Sequence, residues 1–409
     1  MNKSVGQRAR IGVFGLFFLS GFVMGVWAAG LPSLTERLGL DPAMLGTALL
    51  LISTGALVSM LVAGPLVDRF TSRRVCWVAG PFSAVVLLGP ALAGSYPWLL
   101  VLSVVFGLGL GVIEVAINAH SVEVERVYAR PIISAFHGTW SLGGAVAGLL
   151  TAFVLQLGIE GQALLVAAGI VVPFLYLPAA RLLLPEPPPA AAQGAAAEGG
   201  AKQAVGLRWG LIALLGLAAF AGHLSEGAAI DWAALHARWI LGADEAAAPL
   251  AYTVFAVAMT GVRLLGDPLR ARLGSVTTIR LAGLFATLGY ILVLASPQVP
   301  AGLQVAAAWL GWALAGVGLA TVVPVIFSAV GAAGGPVGKA LSLVTAFGYS
   351  GLLVGPAVLG FVAKETSLPV ALVIPAVMAA VVTLSGSPSI RALTSRSKAP
   401  AETPVPARD

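Results

Sequence analysis

The strongest constraint on this fold is a series of long uncharged runs, separated by short segments that contain arginine and lysine. A helix needs about 20 apolar residues to cross a bilayer, and runs of that length recur along the whole chain. Glycine, proline and charge mark their boundaries. The runs predict twelve spans, at 11–34, 43–67, 75–95, 97–120, 131–157, 162–184, 209–235, 247–266, 278–297, 300–330, 337–363 and 367–388.

Composition agrees with an all-α membrane protein. Only 10% of the residues are charged, against about 25% in soluble domains, so the chain cannot cover a surface that faces water. If both termini lie in the cytoplasm, nearly all lysines and arginines fall on the cytoplasmic side, as the positive-inside rule requires. The net charge of +6 therefore indicates topology and not a nucleic-acid partner. The single cysteine, Cys76, excludes an intramolecular disulfide.

The spans divide into two six-helix halves, at residues 1–184 and 208–390. A Pro/Ala/Gly-rich segment, 185–207, reads as a mobile cytoplasmic linker, and the polar residues 391–409 read as a disordered cytoplasmic tail. Pro65-Leu66 and Arg69 recur 203 positions later as Pro268-Leu269 and Arg272. Parallel halves of this kind, related by pseudo-symmetry, are typical of one large class of transporters.

Glu114 is the one acidic residue between Val75 and Ala119. At helical spacing it shares a face with Gly107, Gly111 and Asn118, so this face presents a carboxyl and an amide beside small residues. A charged group in hydrocarbon is costly and commonly marks a transport pathway. We interpret Glu114 and Asn118 as a proton or substrate site. The alternative is a buried carboxyl that neighbouring helices satisfy.

Other ionisable residues inside predicted spans extend this candidate site. His137 could exchange a proton with Glu114, or it could only bond a backbone carbonyl. His223 and Glu226 are three apart on one face and form a second candidate proton site. Asp231 lies on another face, nearer the outer end, where a helix-end or gate role competes with substrate contact. For Arg263, a structural role is favoured, either snorkelling or paired with an aspartate.

Aromatic side chains in predicted spans could stack on a sugar ring or a flat cation. Packing and interface anchoring are the competing roles for each of them. The aromatic candidates for substrate contact are Trp27, Trp140, Trp312 and Tyr349.

The segment from Gly64 to Arg74 carries the clearest resemblance to a known family. It is similar to the signature that follows the second helix of the major facilitator superfamily, except that Thr71 stands where the glycine usually is. The resemblance implies a gating motif in which Asp68 pairs with arginines and a neighbouring helix end and latches the cytoplasmic side. The candidate gating residues in the two halves are Gly64, Asp68, Arg69, Arg73, Asp267 and Arg272.

Within that superfamily, the segment from Gly111 to Asn118 resembles the fourth helix of the fucose permease group, where a glutamate belongs to the sugar and proton site. The segment from Phe136 to Gly144 resembles the fifth helix of that group and of its uncharacterised relatives, and the segment from Glu226 to Trp232 resembles those relatives. The fucose permeases carry an acidic residue in helix one, and Ala28 occupies the matching position here. This departure bears on both sugar specificity and proton coupling.

Together these features predict a secondary transporter in which two halves rock around a midplane site. We expect it to move a small polar organic solute coupled to protons, and a sugar-like compound is the first substrate to consider. A proton-coupled exporter of aromatic or cationic compounds fits the same residues, and a membrane sensor or scaffold is a third alternative. We expect no enzyme activity, cofactor or metal. We expect a monomer in the bilayer of a bacterial plasma (inner) membrane.

Overall fold

A computed structural model gives the fold and describes residues 3–128, 132–185, 209–332 and 337–397. The predicted linker, apart from residue 185, and the tail beyond residue 397 lie outside these ranges. We number the spans in chain order. They are α1 (Lys3–Leu38), α2 (Pro42–Phe70), α3 (Ser72–Val85, continued by Leu88–Leu92), α4 (Tyr96–Tyr128), α5 (Ile133–Gln156), α6 (Gly161–Arg181), α7 (Trp209–Trp239), α8 (Ala248–Leu273), α9 (Ser275–Ala295), α10 (Gln304–Leu319, continued by Val322–Ala332), α11 (Val337–Glu365) and α12 (Leu368–Ala371, Val373–Val381, a π-helical turn Val382–Gly386, and Ser387–Ser397).

The twelve-span prediction is confirmed, because twelve helices in the described residues are long and apolar enough to cross a membrane. Most boundaries lie within a few residues of the predicted ones. The two terminal helices extend further than predicted: α1 begins at Lys3, and α12 continues to Ser397, into the segment 391–409 that was predicted to be a disordered tail.

The fourth span was predicted to end at residue 120, but α4 continues to Tyr128. Polar partners explain the extension. The His120 side chain is 1% exposed, and its Nε2 accepts a hydrogen bond from the Leu184 N–H (3.1 Å). The Glu125 carboxylate accepts bonds from two backbone N–H groups at the start of α5, those of Ile132 and Ile133. Because the polar side chains of His120 and Glu125 are hydrogen-bonded to nearby backbone groups of the same chain, the helix continues beyond the apolar run.

The two halves repeat the same helix packing. In the first half α1 packs on α5 and α2 packs on α4, and in the second half α7 packs on α11 and α8 packs on α10. Glycines mark equivalent close approaches. Gly107 of α4 lies against the Ile52 carbonyl of α2, and Gly316 of α10 lies against the Phe255 carbonyl of α8. The residues 52 and 255 differ by the same 203 positions as the proline motifs, so the sequence repeat is also a repeat of contacts.

The halves meet through α5 with α8, α2 with α11, and α1 with α7. Two ion pairs join them at one end of the bundle, which we call the paired end. Arg238 of α7 contacts Glu36 of α1 at 2.6 Å, and Lys364 of α11 contacts Asp41, just before α2, at 2.7 Å. The opposite end carries the chain reversals after α2 and α8, with their arginines, and we call it the basic end.

Candidate functional site

Glu114 is half-buried on α4, and Asn118 holds it in place. The Asn118 amide donates to the Glu114 Oε1 (2.9 Å) and also to the Glu114 backbone carbonyl (2.8 Å). The carboxyl and the amide lie on one face, as predicted, and the structure adds a direct bond between them. Because this bond takes up one carboxyl oxygen, the other oxygen can carry a proton or accept from a solute.

Glu226 of α7 forms an ion pair inside the bundle. Its Oε1 lies 2.9 Å from the Arg263 Nη2, and the two side chains are 13% and 10% exposed. The structure thus corrects the interpretation of Arg263: its partner is Glu226, and it lies in the interior between the halves. Desolvated charges are tolerated in such a setting when they are paired, as they are here.

His223 and Tyr349 bring α7 and α11 together near this pair. The His223 Nδ1 lies 3.0 Å from the Ala219 carbonyl, so Nδ1 carries the proton of a neutral ring and Nε2 is left as an acceptor. Its ring lies 5.4 Å from that of Tyr349. Tyr349 lies within electrostatic range of both Glu114 and Glu226, which places residues of both halves around one region.

His137 of α5 lies near ionisable residues of the second half. Its ring meets Phe17 edge-on at 5.1 Å, and it lies within electrostatic range of Glu226 and Arg263. We call the whole group the central cluster. Its members, drawn from five helices of both halves, are Glu114, His137, His223, Glu226, Arg263 and Tyr349.

Asp231 and two of the predicted aromatic residues lie outside the central cluster. Asp231 is within α7, 6% exposed, and its Oδ1 has no hydrogen-bond partner among the described residues, so it is not a helix-end residue. Trp312 is fully buried against Tyr290, and Trp27 is 1% exposed against Phe106. For these two tryptophans the geometry favours packing.

Trp140 is half-buried on α5, where its backbone carbonyl lies against Gly21 of α1. Of the four aromatic candidates, Tyr349 is therefore the one that the structure brings to the ionisable residues.

The gating motif occupies the basic end. Asp68 is exposed and makes no hydrogen bond or ion pair to another described residue, so the predicted pairing with arginines is not formed in this arrangement. Arg69 lies over the Phe70 ring at 5.2 Å. Gly64 and Arg73 are half-buried and Arg272 is exposed, while the Asp267 side chain lies outside the described part of the chain.

Sequence reasoning missed the link from Arg263 to Ser141 of α5 (Nη1 to Oγ, 2.8 Å). The available signal was a charged residue inside a span. Its meaning depended on the partner, and the partner becomes visible only when the halves are placed together.

Comparisons with known proteins agree with this architecture. A family model described as Major Facilitator Superfamily matches residues 13–336. An uncharacterised transporter of Sinorhizobium fredii, y4wD, is 34% identical over 378 residues, which cover 91% of this chain and 95% of that protein. An uncharacterised MFS-type transporter of Yersinia pestis is 32% identical, covering 87% of this chain and 89% of its own length.

Among solved structures, a D-xylose–proton symporter superposes with a TM-score of 0.73 at 16% identity, covering 94% of this chain and 97% of its own. A mutant of the nucleoside transporter NupG has a TM-score of 0.73 at 15% identity, covering 94% of this chain and 99% of its own. These two structural similarities show the fold alone, whereas the family model and the sequence relatives show the family. The chain belongs to the major facilitator superfamily of membrane transporters.

Proposed function

We propose that this transporter moves a small polar organic solute in a step coupled to protons through Glu114. Sugar-like compounds are the first candidate substrates. The observation that carries the proposal is the central cluster itself, in which ionisable side chains of both halves surround one region of an apolar bundle. Such groups are costly in a bilayer unless they serve a pathway. The names of two structural neighbours, which refer to D-xylose and to nucleosides, agree with a sugar-containing cargo.

In this proposal Glu114 is the proton site and Asn118 holds it in place. When the site faces water the carboxyl can exchange its proton, and when the halves close over it the charged form loses hydration. The bond from Asn118 leaves one carboxyl oxygen for the proton or for a cargo hydroxyl. His223 adds a neutral acceptor nitrogen, and the Tyr349 hydroxyl can bond a polar solute.

The direction of access follows from the two ends. The paired end, with its two ion pairs between halves, is the closed end, and the exposed Asp68 indicates that the latch at the basic end is open. Because basic residues favour the cytoplasmic side, we assign the basic end to the cytoplasm of a bacterial inner membrane. The structure then corresponds to an inward-facing arrangement.

Proteoliposomes that contain a pH-sensitive dye test the proposal. Adding D-xylose or a nucleoside should move protons in the wild type, and Glu114→Gln should abolish this flux because an amide cannot carry the proton. Glu245→Gln, an exposed carboxylate at the paired end, is the control and should keep the flux. Unchanged flux in Glu114→Gln would overturn the coupling assignment.

One observation favours a second candidate, a proton-coupled exporter of cationic compounds. Among the described residues no cation pairs with Glu114, whereas Glu226 is paired with Arg263. An unpaired carboxylate suits a lipophilic cation. If tetraphenylphosphonium raises the unfolding temperature of the purified protein, with the rise absent in Glu114→Gln, and the sugars have no effect, the exporter replaces the first proposal.

A further inference from the structure

The Arg263 guanidinium links three helices at the boundary between the halves. It donates from Nη2 to Glu226 of α7 (2.9 Å), from Nη1 to the Ser141 hydroxyl of α5 (2.8 Å) and from Nε towards the Ala320 carbonyl (3.5 Å). Ala320 lies at the break between the two parts of α10, and its carbonyl has no helical donor four residues later because Pro324 lacks an N–H. One buried cation therefore serves an ion pair, a hydroxyl of the other half and a helix break.

The contact between the halves extends along one face of α5. Ser134, Gly138 and Ser141 recur at helical spacing, and all three meet the region around Arg263. The Ser134 hydroxyl donates to the Arg263 backbone carbonyl (3.3 Å), and at Gly138 an added Cβ would lie 3.5 Å from the Arg263 Cβ. This face of two hydroxyls and a glycine lets α5 approach α8 at the position of the arginine.

We propose that Arg263 is a positioning residue: it couples the protonation state of Glu226 to the contact between the two halves. The inference rests on the proposed transport function and adds a coupling element to it. With Glu226 ionised, the guanidinium is held between Glu226 and Ser141, and α5 is tied to α8. When Glu226 takes up a proton, a buried cation loses its counter-charge, which is strongly unfavourable. The guanidinium then turns towards water or cargo, releases Ser141, and leaves α5 free to move along α8.

Glu226 has several titratable and charged neighbours. Groups from four further helices, and from α7 itself, lie near it or within electrostatic range. They are His223 on α7, His137 on α5, Arg263 and Tyr252 on α8, Tyr290 on α9 and Tyr349 on α11. Arg263 is the only one of these described residues that is ionised regardless of pH near neutrality, so its bond with Glu226 dominates the local charge.

Distances between spin labels at the basic end test the inference without any cargo. Labels are placed at residues 127 and 273, exposed positions at the ends of α4 and α8, in the full chain with Cys76 replaced by serine. The protein is reconstituted in lipid nanodiscs and measured near pH 5 and near pH 8. The wild type should show a distance distribution that changes between the two pH values.

Glu226→Gln should give the low-pH distribution at both pH values, and Arg263→Gln should show no response to pH. Arg263→Lys keeps the charge but lacks the planar guanidinium that bonds Glu226 and Ser141 together. It should therefore keep a pH response of reduced size. Ser141→Ala should lower the high-pH population without removing the ion pair, and Glu160→Gln, an exposed carboxylate, is the matched control. A wild-type response in Glu226→Gln would overturn the inference.

If Arg263→Gln does not fold, Ser141→Ala and Arg263→Lys still decide the question, because neither leaves a buried charge unpaired. The proton-flux assay is separate. A chain that keeps the pH response but moves no protons with any solute contradicts the proposed function and not the role of Arg263.

Discussion

Thr71 occupies a backbone conformation that suits glycine. Its φ of 73° and ψ of 148° lie in a region almost confined to glycine, and the equivalent residue in the second half is Gly274, with φ 74° and ψ 156°. A threonine held there costs about 1–3 kcal/mol. We therefore expect Thr71→Gly to raise the unfolding temperature of the purified protein. Gly274→Ala is the matched variant and should lower the unfolding temperature. If Thr71→Gly does not raise the unfolding temperature, the backbone at Thr71 is not strained.

One oxygen of the buried Asp231 carboxyl has no hydrogen-bond partner in the part of the chain that the structure describes. Leaving a buried polar group unsatisfied costs about 1–3 kcal/mol, more if the group is charged. Asp231→Asn removes the charge at nearly constant shape, so it should stabilise the purified protein in a thermal unfolding assay. A lower unfolding temperature would mean that the carboxyl has a stabilising partner, such as an ordered water.

Asp41 makes the paired end sensitive to acid. The pKa of its carboxyl is lowered, first by the hydrogen bond from Lys364 and then by the one from the Met44 N–H. A lowered pKa means that the contact stabilises the fold above the unfolded-state value, about 4, and is lost as the pH falls through the lower folded value. Spin labels at residues 159 and 303, exposed near the paired end, should separate on acidification. Asp41→Asn should already show that separation at neutral pH.

At the scale of helices, the close approach of α2 to α4 depends on Gly107. A Cβ there would overlap the Ile52 carbonyl, so Gly107→Ala must push the helices apart. Overpacking of this kind costs about 1–3 kcal/mol. Gly316→Ala should have a similar effect on α8 and α10. Gly261→Ala should instead be neutral or stabilising, because no atom of the described residues lies within 4 Å of its added Cβ. Equal unfolding temperatures for the three variants would contradict this.

The helices themselves were predictable because each is a long apolar run between charges. The π-helical turn Val382–Gly386 and the break of α10 before Val322 were not, because both lie inside uncharged sequence that the span prediction treats as continuous. The length of a run does not reveal whether its backbone bonds shift locally. The extension of α4 to Tyr128 was missed for the opposite reason, since its polar residues are satisfied by contacts distant in sequence, such as His120 with Leu184.

At the scale of the molecule, part of the candidate site could be predicted from the sequence and part could not. Glu114 with Asn118 was predictable, because both lie on one helix and helical spacing determines their proximity. The Glu226–Arg263–Ser141 contacts were not, because they depend on how α7, α8 and α5 meet across the two halves. A repeat in sequence indicates that two halves exist. It does not say which faces they present to each other.

The two ion pairs at the paired end should set the balance between access states. Both cross between halves, so they exist only while this end is closed, and removing them should favour the arrangement open at this end. Exposed pairs contribute little individually, about 0–1 kcal/mol, but the balance between two conformations is itself a few kcal/mol. We expect the double variant Arg238→Gln, Lys364→Gln to lengthen the 159–303 label distance in nanodiscs and to shorten the 127–273 distance at the basic end. Glu245→Gln, whose carboxylate lies 4.0 Å from Arg238 within the second half, is the control. If the paired-end distance grows while the basic-end distance stays fixed, the two ends open independently, and rocking of two rigid halves is contradicted.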